Sequence, residues 1–132
     1  MKTVITYGTF DLIHYGHLNL LKRACALGDR LIVGVSTDEC VMSKGKRPVF
    51  SCEKRMEYLA DLRYVDLVIP EKDMEQKVED IKKYHVDVFV LGDDYAETFL
   101  KMPEYDRIKD ICEVVFLPRT PNISTTALKG IK

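Results

Sequence analysis

Four cysteines (Cys25, Cys40, Cys52 and Cys112) contain no Cys-x-x-Cys pair, and they are too sparse for a disulfide scaffold. They read as reduced or buried thiols. Charge of either sign is also lacking in excess: Lys plus Arg total 20 against 21 for Asp plus Glu. A general nucleic-acid surface gets no support from that balance, although a local basic pocket for a small anion stays open. No apolar run approaches transmembrane length, and the first residues have no cationic stretch leading into a secretory segment, so a cytoplasmic location is expected. Three chemistries lose their signatures. There is no Gly-x-Ser-x-Gly elbow, no Gly-x-x-x-x-Gly-Lys-Ser/Thr phosphate loop and no Gly-x-Gly-x-x-Gly dinucleotide turn. What remains is a chain of 132 residues, 46% apolar, which supplies one core and is read as one domain over 1–132.

The stretch Gly8-Thr-Phe-Asp-Leu-Ile-His-Tyr-Gly-His17 organises this chain. Thr3 to Tyr7 before it is rich in β-branched and aromatic residues, while Leu18, Leu21, Ala24 and Cys25 after it recur at helical spacing. A glycine turn from strand to helix exposes backbone N–H groups at a helix start, the makings of an anion site. His14 and His17, three apart, face one point if helical geometry begins at the turn. The same pair with Asp11 has the donors of a partial metal site, but His85 adds no ordered third imidazole. Alternatively, His17 helps cap a helix and His14 is a surface turn residue.

Four further apolar runs read as strands: Leu31 to Val35, Val65 to Ile69, Val86 to Leu91 and Val114 to Leu117. Helical patterns between them predict an α/β, Rossmann-like domain, a five-stranded parallel sheet with helices on both faces. Leu18 to Leu27 is the first crossover, stopped near Gly28. The residues from Ser36 to Glu39 and from Lys44 to Pro48 read as a loop. Ser51 caps the next helix, whose stripe runs through Met56, Leu59, Ala60 and Arg63. Asp73 and Gln76 have capping-box spacing. Pro103 breaks the segment after Tyr95, and Tyr105, Ile108 and Ile111 then mark a short helix. Ser124 or Thr125 caps a last one.

Lys44, Lys46 and Arg47 follow one strand and Arg119 follows the final one, so the sheet can gather them around phosphates. Ser124, Thr125 and Thr126 add hydroxyls and N–H groups. Such a surface suits attack by an acceptor phosphate on the α-phosphorus of a nucleoside triphosphate. The acceptor is already largely a dianion near neutral pH, so alignment and charge stabilisation are the protein's main tasks. Mg²⁺ is expected to travel with the triphosphate, since no all-protein magnesium motif is visible.

Gly8 to His17, Arg63-Tyr-Val-Asp66, Gly92-Asp-Asp94, and Arg119-Thr120 with Ile123-Ser-Thr-Thr126 together resemble the bacterial glycerol-3-phosphate cytidylyltransferase family of the nucleotidyltransferase superfamily, over nearly the whole chain. The resemblance implies transfer of CMP from CTP to sn-glycerol 3-phosphate, giving CDP-glycerol for teichoic-acid or related surface-polymer synthesis, by a homodimer. It also implies catalytic roles for His14, His17, Lys44 and Arg119. Thr9, Phe10, Tyr15, Gly16, Lys46, Arg63, Asp94 and the segment Thr120, Pro121, Asn122, Ile123, Ser124, Thr125, Thr126 are implied to bind CTP. Lys44 and Lys77 are implied to bind the acceptor, although periodicity alone makes Lys77 a solvated helix charge.

Two features depart from the family pattern. Pro121-Asn122 replaces the usual Glu-Gly, and the connector between Tyr95 and Cys112 is longer, which bears on acceptor identity. A cytidylyltransferase for another alcohol phosphate, such as ethanolamine phosphate, and a non-catalytic nucleotide-binding regulatory domain are the competing readings.

Overall fold

A computed structural model describes residues 2–13, 15–73, 75–92 and 96–118. The expectations for His14, Asp94 and 119–126 lie outside them. Five parallel strands form one sheet in the order β3-β2-β1-β4-β5: β1 (Thr3–Gly8), β2 (Arg30–Ser36), β3 (Leu67–Glu71), β4 (Val88–Gly92) and β5 (Glu113–Leu117). The chain winds outward from β1 to one edge, crosses to β4 and continues to the other. The carboxyl ends of β1 and β4 therefore flank a topological switch point, where ligands enter open α/β sheets.

Alternation along the strands divides the core. Val4, Leu31, Val33, Val88 and Val90 point to one face and pack with Leu21 and Ala24 of α1 (Tyr15–Cys25) and Leu59 of α3 (Cys52–Ala60). Ile5, Ile32, Phe89 and Leu91 point to the other, against Ile81 of α4 (Gln76–Lys83), Phe99 of α5 (Ala96–Leu100) and Ile108 of α6 (Pro103–Lys109). Both faces are covered, which is why the central strands read as continuous apolar runs.

Some boundaries move for identifiable reasons. β3 starts two residues later than the apolar run because Asp66 is used ahead of it: its N–H donates to the Leu31 carbonyl (2.9 Å), and its carboxylate accepts from the Leu31 N–H (2.8 Å). Asp87, ahead of β4, does the same with Thr3 (2.8 Å in each direction), and Asp29, ahead of β2, with Lys2 (2.7 and 2.8 Å). Three aspartates thus close the amino edge of the sheet. Pro70 is tolerated because β3 is an edge strand.

The expected loop after β2 is corrected by a short helix, α2 (Asp38–Ser43). Thr37 caps it, accepting from the Cys40 N–H at 3.1 Å. Its end is a Schellman turn. Gly45 takes φ +79°, its N–H donates to the Met42 carbonyl (3.0 Å), and that of Lys46 to the Val41 carbonyl (3.3 Å). Only Cys40 and Val41 are buried, too few for an apolar period. The capping signal at Ser51 holds, whereas Asp73 and Gln76 pair in the turn just ahead of α4, whose N-cap position is Glu75 with no side-chain bond. Ser51 accepts from the Lys54 N–H (3.3 Å), and Asp73 from the Gln76 N–H (3.0 Å), while Gln76 reaches back to Lys72 (2.8 Å), one residue beyond the usual capping-box target. Pro103 opens α6 rather than merely ending what precedes it.

Candidate functional site

The turn after β1 is built by close packing. A Cβ on Gly8 would lie 2.8 Å from the Phe10 ring, so glycine is needed there for space. The left-handed backbone falls instead on Phe10 (φ 51°), a non-glycine residue held in a conformation costing on the order of 1 kcal/mol or more. Burial holds it: the ring is 4% exposed and belongs to the α1–α3 side of the core. Its edge meets the His17 ring, with centroids 5.4 Å apart at 60°. Helix α1 begins at Tyr15, so Gly16 and His17 lie in its first turn, where N–H groups point out of the helix end. Tyr15 itself is exposed.

Two residues whose importance is hidden in the sequence fasten this turn to its surroundings. Asp11 is buried, and its carboxylate accepts from the Val49 N–H (2.9 and 2.7 Å) and the Phe50 N–H (2.9 Å). Its carboxylate thereby ties the turn to the 49–50 backbone. Arg55 of α3 is 2% exposed and donates in four directions: to the carbonyls of Phe50 (3.0 Å), Thr9 (2.8 Å) and Ser36 (2.7 Å) and to the Asp38 carboxylate (2.6 Å). One guanidinium therefore joins the ends of β1 and β2, the start of α2 and the chain entering α3. Arg55 lies four residues before buried Leu59, on the inward stripe, and that spacing was the available signal.

Lys44 and Lys46 flank Gly45 and are exposed at the carboxyl end of α2, where the helix dipole favours cations. The structure brings them to the same sheet edge as the turn, through the Asp11 and Arg55 tethers. Lys77, in the first turn of α4, is also at that edge, but it is 3% exposed and not the solvated charge periodicity suggests. It is ion-paired with Glu71 at the end of β3. Arg63 is placed elsewhere. It follows α3 and precedes β3, at the edge where the strands begin, and its guanidinium meets the Tyr64 hydroxyl (3.3 Å) and ring. That hydrogen bond lowers the exposed Tyr64 hydroxyl from the usual tyrosine range. Within one chain Arg63 is not gathered with the turn.

A cavity of about 480 Å³ opens between the turn and α3, lined by Phe10, Leu12, Ile13, Phe50 and Tyr58. Asp11, Arg55 and Lys54 border it, the first two with polar atoms engaged as described, and hydrocarbon and aromatic carbon dominate its walls. Among the described residues, no group of three or more His, Cys, Asp or Glu is arranged to hold a metal ion, and no helix is long and apolar enough to cross a membrane.

Residues 5–131 match the Cytidylyltransferase-like family. The chain is 55% identical over 129 residues to glycerol-3-phosphate cytidylyltransferase of Bacillus subtilis (strain 168), covering 98% of this chain and 95% of that protein. It is 53% identical over 129 residues to the protein of the same name from Staphylococcus aureus (strain NCTC 8325 / PS 47), covering 98% and 93%. Among solved structures, a lipopolysaccharide core biosynthesis protein from Thermoplasma volcanium GSS1 superposes with a TM-score of 0.72 at 30% identity, over 91% of this chain and 97% of that one. With a doubly wound sheet, a Gly-Thr-Phe-Asp turn at its switch point and relatives matching almost end to end, this chain belongs to the Cytidylyltransferase-like family, on its glycerol-3-phosphate cytidylyltransferase branch.

Proposed function

We propose that this chain is an enzyme that transfers CMP from CTP to sn-glycerol 3-phosphate, releasing pyrophosphate and CDP-glycerol for teichoic-acid or related surface-polymer synthesis in the cytoplasm. The observation that carries this reading is the placement of the 8–17 turn at the switch point, tied by Asp11 and Arg55 to the stretch that follows Lys44 and Lys46. The near end-to-end similarity to the two bacterial relatives supports the choice of both substrates.

CTP would arrive with Mg²⁺ as part of the substrate; the metal would offset triphosphate charge, and no side chain of this chain is assigned to hold it. Thr9, Phe10, Tyr15, Gly16 and the first-turn N–H groups of α1 receive the nucleotide. His14 and His17 donate to the phosphates as charge builds at the α-phosphorus and the leaving pyrophosphate. Lys46, Arg119 and residues 120–126 hold the triphosphate. Pro118, just before Arg119, is fixed by its carbonyl to Arg23 of α1 (3.1 Å). Lys44 and Lys77 bind the acceptor phosphate, whose oxygen attacks directly, without a protein nucleophile. Asp94 reads the cytosine amino group as a hydrogen-bond acceptor. Arg63, at the opposite edge, contributes to nucleotide placement only across a homodimer. Light scattering over a concentration series tests that point, and a monomer mass throughout removes it.

A purified-protein screen crossing CTP, ATP, UTP and GTP with glycerol 3-phosphate, ethanolamine phosphate, choline phosphate and ribitol 5-phosphate tests the whole reading. Pyrophosphate release with CTP and glycerol 3-phosphate is expected. Efficient turnover only with another pair overturns the substrates, and nucleotide binding without turnover for any pair overturns the enzyme.

A further inference from the structure

Beside the turn, Lys77 stands in a buried cluster drawn from three strand ends and one helix, whose other members have no part in the mechanism above. Glu71 closes β3. One of its oxygens accepts from Lys77 of α4, and the other from the Ser36 hydroxyl at the end of β2 (3.2 Å). The Lys77 ammonium also sits over the ring of Tyr7, 4.7 Å from its centroid. The Tyr7 hydroxyl donates to Asp80 one helical turn along α4 (2.8 Å), and Gln76 donates to the same carboxylate oxygen (3.0 Å). Burial, and then the negative charge of Asp80, push the Tyr7 hydroxyl far above the usual tyrosine range, so it stays a donor.

The placement of the Tyr7 ring depends on its neighbour across the ladder. Tyr7 is in register with Gly34 of β2, and a Cβ on Gly34 would overlap the Tyr7 ring. The missing side chain lets the ring lie across β2 toward α4. Tyr7 immediately precedes Gly8, so one aromatic residue joins the nucleotide turn to the helix carrying Lys77.

We infer that Tyr7 and Glu71 are positioning residues for the phosphomonoester acceptor, the ring and the carboxylate together fixing where the Lys77 ammonium stands relative to the 8–17 turn. This rests on the functional reading above, in which Lys77 binds the acceptor. A lysine is a point charge on a flexible four-carbon stem, and it directs an anion only where something directs it. Here a carboxylate accepts from one of its three N–H donors and a π-face receives the charge from another side. The Glu71 carboxylate and the Tyr7 ring both meet the Lys77 ammonium, which the functional reading assigns to the acceptor, so the acceptor KM is where the cluster is expected to act.

The test is steady-state kinetics of pyrophosphate release with MgCTP and sn-glycerol 3-phosphate for the full chain and the variants Glu71→Gln, Tyr7→Leu and Tyr7→Phe. Loss of the carboxylate charge or of the ring is expected to raise KM for glycerol 3-phosphate by roughly tenfold, with KM for CTP held within about twofold. Tyr7→Phe keeps the ring over Lys77, so its acceptor KM rises by only about threefold. Unchanged or lowered acceptor KM in Tyr7→Leu overturns the inference, and so does a rise in both KM values together, which is what a merely structural role gives. If Glu71→Gln does not fold, the two Tyr7 variants decide the matter by the same criteria. A wild-type chain that turns over no alcohol phosphate fails earlier and differently: it overturns the functional reading, and the inference with it.

Discussion

Arg55 offers the sharpest perturbation, because one side chain serves four acceptors on separate segments. Replacing it with Met keeps much of the hydrocarbon volume but removes every donor. The carbonyls of Thr9, Ser36 and Phe50 and the Asp38 carboxylate each lose a charged partner. Breaking a buried pair by deleting one partner costs about 3–5 kcal/mol. Asp38 is one-third exposed and rehydrates in part, which places this case near the lower limit, at about 3 kcal/mol. For a domain of this size that is roughly a 10 °C fall in Tm. Arg55→Lys keeps the charge and reaches only part of the fork, so about half of the loss is expected to return. Urea titration gives the stability, and pyrophosphate release gives the function. Turnover should drop in both variants with the KM values for nucleotide and acceptor both raised, since the guanidinium bonds the turn on one side and the chain beyond Lys46 on the other. An Arg55→Met variant within 0.5 kcal/mol of wild type, roughly the scatter of an inconsequential surface change, refutes the brace.

His17→Ala should melt within a few degrees of wild type and lose on the order of 10² to 10³ in turnover; full turnover in a folded variant removes the imidazole from the chemistry. Gly45→Ala meets no atom within 4 Å of the added carbon, so any loss comes from the left-handed φ alone and should be about 1 kcal/mol by denaturant titration; a neutral result means the α2 end relaxes out of that conformation. Burial pushes the Cys112 thiol up to about 11 from 9.0. With its pKa raised, the thiolate fraction at pH 8 is about 100-fold below that of an unshifted thiol, and iodoacetamide followed by peptide mass spectrometry should label Cys112 slowly in the native protein and rapidly in urea. Fast native labelling contradicts the burial.

Where the chain's local chemistry decides the structure, the sequence alone is informative. Leu31 to Val35 is apolar throughout because both faces of β2 are covered, and Ser51 needs only a donor three residues ahead to start α3. The two runs that began early, at Val65 and Val86, did so because an apolar residue precedes an aspartate whose partner lies in another strand. Helix α2 was hidden by its small buried face, although Thr37 and Gly45 bracket it with cap chemistry. Arg55 and Lys77 look like ordinary helix charges. Their burial is set by Thr9, Ser36 and Glu71, which local spacing cannot connect to them. Of the anticipated site, the turn, Lys44, Lys46 and Lys77 come to one edge and Arg63 to the other, because α3 carries the chain back across the sheet before β3 begins. His14, Asp94 and 119–126 lie outside the described residues.

The aspartates ahead of β2, β3 and β4 have a counterpart at the opposite end of the molecule. Each acts as a clasp between neighbouring strands at the amino edge, through a pair of reciprocal bonds. Fraying is thereby resisted at the end farthest from the glycine turn. The carboxyl end is secured by other chemistry, the Asp11 and Arg55 contacts, so each end of the ladders has its own fastening.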